Sequence, residues 1–356
     1  MHVLMLTRRV DHDDWLAGFA HTWIERLAQH PHIDQVDVIC LEQGRIDLPS
    51  NVRVSSMGKE RGAGRRAEFL NFHRAIAPII RDVDVIFGHM IPRYTLVAAP
   101  WAMLFRIPVV QWYTHRQVTA ELRLVHSFAK RIVAASPESF TMPSRKVTVL
   151  GHGIDLSQFH PVESPFFDRL IVAVGRLSPI KHYEALIEAT ANLISRPGFN
   201  DVKVAIAGGP TPQNSETYAE SLKTLAHDCG VSNLIEFLGP IPHKQIPDLY
   251  RRATVTVNLC PTGGADKVVL ESMASGVPTV VRNETFLPLL ADDAELLWAE
   301  NLDPSKIADK LAGVLNTPAN QRTELGTRLA DRVRADYDLN GLIDRLVGVF
   351  EKVRRK

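Results

Sequence analysis

The chain has 356 residues, 45% of them hydrophobic and 23% charged, and a formal net charge of +1. That length accommodates two domains with separate cores, and the near-neutral balance gives no global drive toward nucleic acid. Its three cysteines, Cys40, Cys229 and Cys260, lie far apart without a CxxC pair, which argues against a zinc site or a disulfide framework and fits a reducing, cytoplasmic setting.

The apolar run in MHVLMLTRRV is too short for a signal peptide or a membrane span and reads as a first buried strand over 3–7. No stretch of 18 apolar residues follows anywhere, so any membrane contact is expected to be peripheral. Strand and helix then alternate: a helix over 18–29, strands at 35–41 and 52–56, and a helix over 65–80. A strand at 83–87, a helix over 94–104 and a strand at 108–113 come next. A helix over 119–130 and short strands at 131–135 and 147–150 complete a doubly wound α/β pattern. Within 59–81, Lys59, Arg61, Arg65, Arg66, Arg74 and Arg81 outnumber Glu60 and Glu68, with Phe69, Leu70, Phe72 and Ile76 interleaved. Such a segment either lays its apolar stripe on the core with its basic residues in water, or rests on an anionic membrane surface. The first reading is preferred.

Loop formers from GHGID at 151–155 to Pro165 separate a first domain, 1–155, from a second, 166–335. In the second half strands are expected at 169–174, 202–207 and 235–237, and helices over 182–194, 216–229 and 243–251. A final helix over 339–356 is left open to pack back on the first domain. The most informative stretch is 254–281, two β-branched runs flanking a loop with Gly263 and Gly264 and a helix over 267–274. Gly276 closes that helix, and Pro278 starts the return strand. Strand, glycine-rich loop, helix, strand is the unit that leaves a ligand crevice at the carboxyl ends of a parallel sheet. Its loop presents backbone N–H groups and a helix N-terminus to one point, which suits an anion such as a diphosphate. Glu271, one turn into the helix, is placed to accept hydrogen bonds from sugar or ribose hydroxyls; otherwise it is a solvated helical carboxylate.

The segment 174–181, VGRLSPIK, sets Arg176 and Lys181 five residues apart at the end of a strand. A guanidinium and an ammonium there either neutralise a diphosphate without a metal or form a solvated basic turn. Cys260 beside the glycine loop reads as a small buried thiol.

The order and separation of VGRLSPIKHYEALIEA, IEFLGPIPHKQIPDLYRRA and VVLESMASGVPTVV resemble the donor-binding domain of retaining glycosyltransferases of family four, with the GT-B fold. GHGID at the junction and the Gly18–Phe19 helix start agree, so the resemblance covers nearly the whole chain. It implies two Rossmann-like α/β domains facing across a cleft. The function implied is metal-independent transfer, with retention, of a sugar from a UDP- or GDP-linked donor to a glycan, lipid-linked or small-molecule acceptor. The only co-substrate is then the nucleotide sugar, and no cofactor is implied. Arg176 and Lys181 would clamp the donor diphosphate and Glu271 would bind the ribose. Phe237, Leu238 and Gly239, continuing to Ile241, would contact the base. Gly264 to Lys267 would lie beside the donor sugar and phosphates, Gly18 would allow close approach of its loop, and His115 in WYTH would stand near the donor sugar.

One departure matters. The family carries Glu-x7-Glu, and the position eight before Glu271 is Gly263. Asp266 in the same loop is either the substitute carboxylate or a cap for the following helix. Two rivals stay in view: a nucleotide-sugar epimerase of the same fold, which needs additional acid/base carboxylates in the cleft, and a sugar-nucleotide-binding subunit with weak or no catalysis, which the missing acid favours. Asp11, Asp13 and Asp14 precede the Gly18 loop and read as capping or orienting groups, so no metal is expected.

Overall fold

The computed structural model describes residues 1–15, 18–162, 169–210, 216–261 and 264–355, with the side chain of Glu216 left aside. Gly263 therefore lies outside the described residues, as do residues 163–165 of the expected linker. The chain divides into two compact units, Met1–Gly153 with Asp338–Lys356, and Ile154–Tyr337.

The first unit runs β1 (His2–Val10), α1 (Gly18–Gln29), β2 (Gln35–Gln43), β3 (Val52–Ser56), α2 (Arg65–Ile76) and β4 (Val85–His89). It continues with α3 (Pro92–Leu104), β5 (Val109–Trp112), α4 (Ala120–Phe128), β6 (Arg131–Ala134) and β7 (Val147–Val149). Its seven strands pair in parallel in the order β3-β2-β1-β4-β5-β6-β7. Val3 to Leu6 are all buried, the continuous apolar run of a strand covered on both faces.

Trp23, Ile24 and Leu27 of α1 cover one face together with the chain's last helix, Leu339–Val353. That helix buries Leu339, Leu342, Ile343, Leu346, Val347 and Phe350. This is the i, i+3, i+4, i+7 stripe of a core-facing helix. Phe350 packs edge-on against Phe87 with ring centroids 5.3 Å apart. Helices α2, α3 and α4 cover the other face. Two details depart from expectation in α2. It stops at Ile76 rather than running to residue 80, because Pro78 has no N–H to continue the ladder and restricts the residue before it. Only Phe72 and Ile76 of its apolar residues are buried; Phe69 and Leu70, each 53% exposed, point away from the core that was expected to take them.

The second unit runs β8 (Leu170–Val174), α5 (Tyr183–Ile194), β9 (Lys203–Ala207), α6 (Glu216–Asp228), β10 (Ile235–Gly239) and α7 (Ile246–Arg252). Then come β11 (Val255–Asn258), α8 (Lys267–Ala274) and β12 (Thr279–Val281). Four helices not anticipated from the sequence follow: α9 (Leu287–Leu290), α10 (Ala294–Leu297), α11 (Pro304–Asn316) and α12 (Ala319–Tyr337). The last helix of the first unit is thus α13. The five strands are parallel in the order β10-β9-β8-β11-β12. The helix expected over 243–251 opens as a 3-10 turn, His243–Gln245, before α7. The return strand begins at Thr279, since Pro278 cannot donate to a ladder. The α/β class with two Rossmann-like units is as the sequence led one to expect. In the second unit the connections leave the first strand, β8, in opposite directions, which makes the β8–β11 boundary the switch point where such sheets bind ligands.

Candidate functional site

Three strands of the second unit reach the carboxyl edge with glycines. Gly175 after β8 has φ +153°, Gly208 after β9 +148° and Gly239 at the end of β10 +70°. The Gly175 N–H donates to the Ala207 carbonyl at 2.9 Å, and the Gly208 N–H to the Gly239 carbonyl at 2.8 Å. A Cβ on Gly208 would lie 1.8 Å from the Gly175 carbonyl oxygen. Bare backbone is therefore required here, and it leaves an edge that a ligand can approach closely. Phe237 and Leu238, half-buried in β10, lead into this edge.

Two loops flank the switch point. The loop after β8 carries Arg176, exposed, and Lys181, whose side chain is 12% exposed. Tyr183, the first residue of α5, is buried and donates from its hydroxyl to the Gly175 carbonyl at 2.8 Å, which fixes the start of this loop. Burial holds the Tyr183 hydroxyl well above the usual tyrosine range, with Asp266 adding to the effect, so it stays a neutral donor. The loop after β11 carries Gly264, Asp266 and Lys267. Asp266 accepts from Lys181 in an ion pair, and from Asn258 Nδ2 at 3.0 Å. Oδ1 of the same Asn258 side chain in turn accepts the Cys260 N–H at 3.2 Å. Cys260 is buried. The Asn283 side chain donates to the Gly264 carbonyl at 3.4 Å.

Asp266 occupies the N-cap position of α8, yet its carboxylate makes no capping bond to that helix. The capping alternative is overturned: the side chain is turned across the switch point to Lys181. The carboxylate is held there by a cation and an amide beside the glycine loop.

Lys267 is half-buried at the first position of α8. Desolvation lowers its ammonium pKa to about 8, opposed by the charge of Glu271. Glu271 is 5% exposed and is bound at Oε1 by His243 Nε2 at 2.8 Å. The His243 ring lies tilted against Phe159, centroids 5.4 Å apart. A buried carboxylate needs such a partner, and His243 fixes one oxygen while leaving the other oxygen's lone pairs available. Tyr250, fully buried, donates to the Val268 carbonyl at 3.0 Å and feels both Glu271 and Asp266, which together with burial hold its hydroxyl protonated. Beneath α8, Thr256, Ser272 and Thr279 close a buried ring of hydroxyls at 2.6, 2.9 and 3.0 Å. That ring ties the helix to β11 and β12 and sets the height of Glu271.

Lys181 and Asp266 are thus brought into contact, and Glu271 and Lys267 follow on the same loop and helix. Gly18 and His115 belong to the first unit. Gly18 is the first residue of α1, its N–H donating to the Asp14 carbonyl at 3.1 Å. His115 is exposed after β5, and its Nδ1 accepts the Gln117 N–H at 3.0 Å. Three residues of the arrangement were not singled out from sequence. Gly208 had a visible signal, a Gly-Gly pair ending a strand; Asn258 had a weaker one as a polar strand end. His243 had none, because its pairing with Glu271 spans 28 residues. Among the described residues no group of three or more His, Cys, Asp or Glu is arranged to hold a metal ion.

Residues 159–332 match the family model described as glycosyl transferases group 1. A D-inositol 3-phosphate glycosyltransferase of Acidothermus cellulolyticus is 28% identical over 217 residues, 58% of this chain and 48% of that protein. A D-inositol 3-phosphate glycosyltransferase of Frankia alni is 32% identical over 185 residues, 49% of this chain and 45% of that protein. The chain spans about half the length of these curated relatives. Among solved structures, Anabaena HepE in complex with UDP and glucose superimposes with a TM-score of 0.76 at 16% identity, over 98% of this chain and 99% of HepE. Sucrose-phosphate synthase from Thermosynechococcus elongatus does so with a TM-score of 0.76 at 19% identity, over 99% of each chain.

Proposed function

With its second unit placed among the glycosyl transferases group 1, we propose that this protein moves a sugar from a nucleotide-sugar donor, UDP- or GDP-linked, to an acceptor. The acceptor is a glycan, a lipid-linked saccharide or a small molecule, a class into which the names of the inositol-phosphate relatives fit. Transfer proceeds with retention and without a required metal or other cofactor, and the setting is cytoplasmic. The observation that carries this reading is the convergence of Lys181, Asp266, Lys267 and Glu271 on the two loops beside the β8–β11 switch point.

The chemistry follows from charge. Departure of the nucleoside diphosphate places negative charge where Arg176, Lys181, Lys267 and the N-terminus of α8 stand. Their preorganisation lowers the barrier without a covalent step by the protein. Lys181 begins paired with Asp266, so an arriving diphosphate takes over the ammonium and turns the carboxylate toward the sugar hydroxyls. Glu271, steadied by His243, receives the ribose, with Phe237, Leu238 and Gly239 along the base. Gly18 and His115 serve the sugar and acceptor side from the first unit. Peripheral membrane contact belongs to the same reading, through the outward Phe69 and Leu70 of α2 among its arginines.

A thermal-shift series against UDP, GDP, ADP and their sugar conjugates tests the donor site, because a ligand binding only the folded state raises Tm. One nucleotide is expected to shift Tm, and Arg176→Ala to lose the shift; no shift with any of them sinks the assignment. Asp266→Asn is expected to keep binding and lose turnover. Binding without turnover in the wild-type protein would instead identify a sugar-nucleotide-binding subunit.

A further inference from the structure

The first unit holds a separate feature at the amino ends of its strands. A groove of about 650 Å³ lies where α3, α4 and α13 end and β5 and β6 begin. Phe105, Ile107, Phe128 and Val353 line its walls, and Arg106, Lys130, Arg354 and Arg355 stand around it, with no carboxylate among the lining residues. Helix C-termini attract cations, and three of them meet here. At about −0.5 charge each they offset roughly 1.5 of the four positive charges and leave the groove electropositive. Among the described residues Arg106, Lys130 and Arg354 form no ion pair, and Arg355 donates to the Arg81 carbonyl at 3.2 Å. Asp82 and Asp84 stand on the chain behind, where the Arg355 N–H donates to the Asp84 carbonyl at 3.1 Å.

Beside the groove, Met103 and Leu104 are 69% and 74% exposed, the largest values among the exposed large hydrophobic residues described. Aromatic contacts join this corner to α2: Phe69 to His73 at 4.3 Å, Trp101 Nε1 to His73 Nδ1 at 2.8 Å, and Trp101 stacked on Phe105 at 6.1 Å.

We propose that this groove is a binding site for the headgroup of an anionic phospholipid at a bilayer surface. Arg106, Lys130, Arg354 and Arg355 take the phosphate, and Met103 and Leu104 enter the acyl boundary. Charge selects the occupant: cations without carboxylates fit an anionic surface, and two adjacent flexible aliphatic side chains beside them fit the interfacial layer. The inference deepens the peripheral contact proposed for α2 and rests on that reading, extending the face along the aromatic row from Phe69 to Phe105.

Co-sedimentation with vesicles of phosphatidylglycerol and phosphatidylcholine, against phosphatidylcholine alone, tests it. The full chain is expected to bind only the anionic vesicles, and Lys130→Glu with Arg354→Glu to weaken binding at least about tenfold, since each interfacial cation is worth roughly fivefold. Leu104→Ser should weaken it too, with Tm and the nucleotide-induced shift kept. If the doubly reversed variant does not fold, Lys130→Gln with Arg354→Gln replaces it, with a smaller loss in the same direction. Wild-type binding by the groove variants, with loss in Arg65→Glu and Arg66→Glu, overturns the groove while leaving the α2 contact standing. Failure of the wild-type protein to bind anionic vesicles overturns both and points the groove toward an acidic polypeptide.

Discussion

Lys267 shows how one side chain ties local burial to ligand chemistry. Its ammonium titrates at about 8 instead of 10.5 because the start of α8 is poorly solvated, and the Glu271 charge restores only part of the loss. The charged form therefore predominates below about pH 8 and the neutral amine above it. If Lys267 faces the leaving diphosphate, affinity for the responsive nucleoside diphosphate should fall by about tenfold between pH 7 and pH 9, the scale of one charge-assisted hydrogen bond. Calorimetric titration at several pH values would show it. Lys267→Arg, which stays charged, should remove the pH dependence; an unchanged slope in that variant would take Lys267 out of the phosphate site. Asp266 teaches a related point. Its position before a helix suggested a cap, but a nearby ammonium and the Asn258 amide offer its carboxylate a better partnership than a helix N–H.

At the level of elements, the site depends on how closely strand ends approach one another. Gly208 is the tightest case, with its φ of +148° and a notional Cβ 1.8 Å from the Gly175 carbonyl oxygen. Gly208→Ala must displace either β8 or β9 at the carboxyl edge, at a cost of at least about 2 kcal/mol. We expect a lower Tm together with loss of the nucleotide-induced shift. Wild-type melting with an intact shift would show that the edge has slack the geometry does not suggest. Much of the element pattern was legible. Helices at 18–29 and 267–274 and the strand at 52–56 match their expected limits, since their periodicity and glycine boundaries are local properties. The end of α2 was misplaced because the apolar pattern continues past Pro78 while the backbone cannot.

At the scale of the whole molecule, the last segment of the chain completes the first unit's core. Leu346 of α13 is fully buried with Leu342, Val347 and Phe350 against the β1–β4 region. Leu346→Ala should cost about 2–5 kcal/mol, lowering the calorimetric transition of the first unit while the nucleotide-dependent stabilisation of the second persists. An unchanged melting profile would mean that α13 contributes little to that core.

The sequence by itself determined the α/β class, the two-unit organisation, and the loop–helix segments with Arg176, Lys181, Lys267 and Glu271. Those features follow from residue periodicity, glycine placement and charge spacing along a single stretch of chain. Only the tertiary structure decided that Asp266 turns to Lys181, 85 residues away, that His243 holds Glu271, and that three glycines share one sheet edge. Strand order in a parallel sheet juxtaposes segments with no sequence proximity, and partnerships between buried charges are settled by that juxtaposition rather than by local pattern.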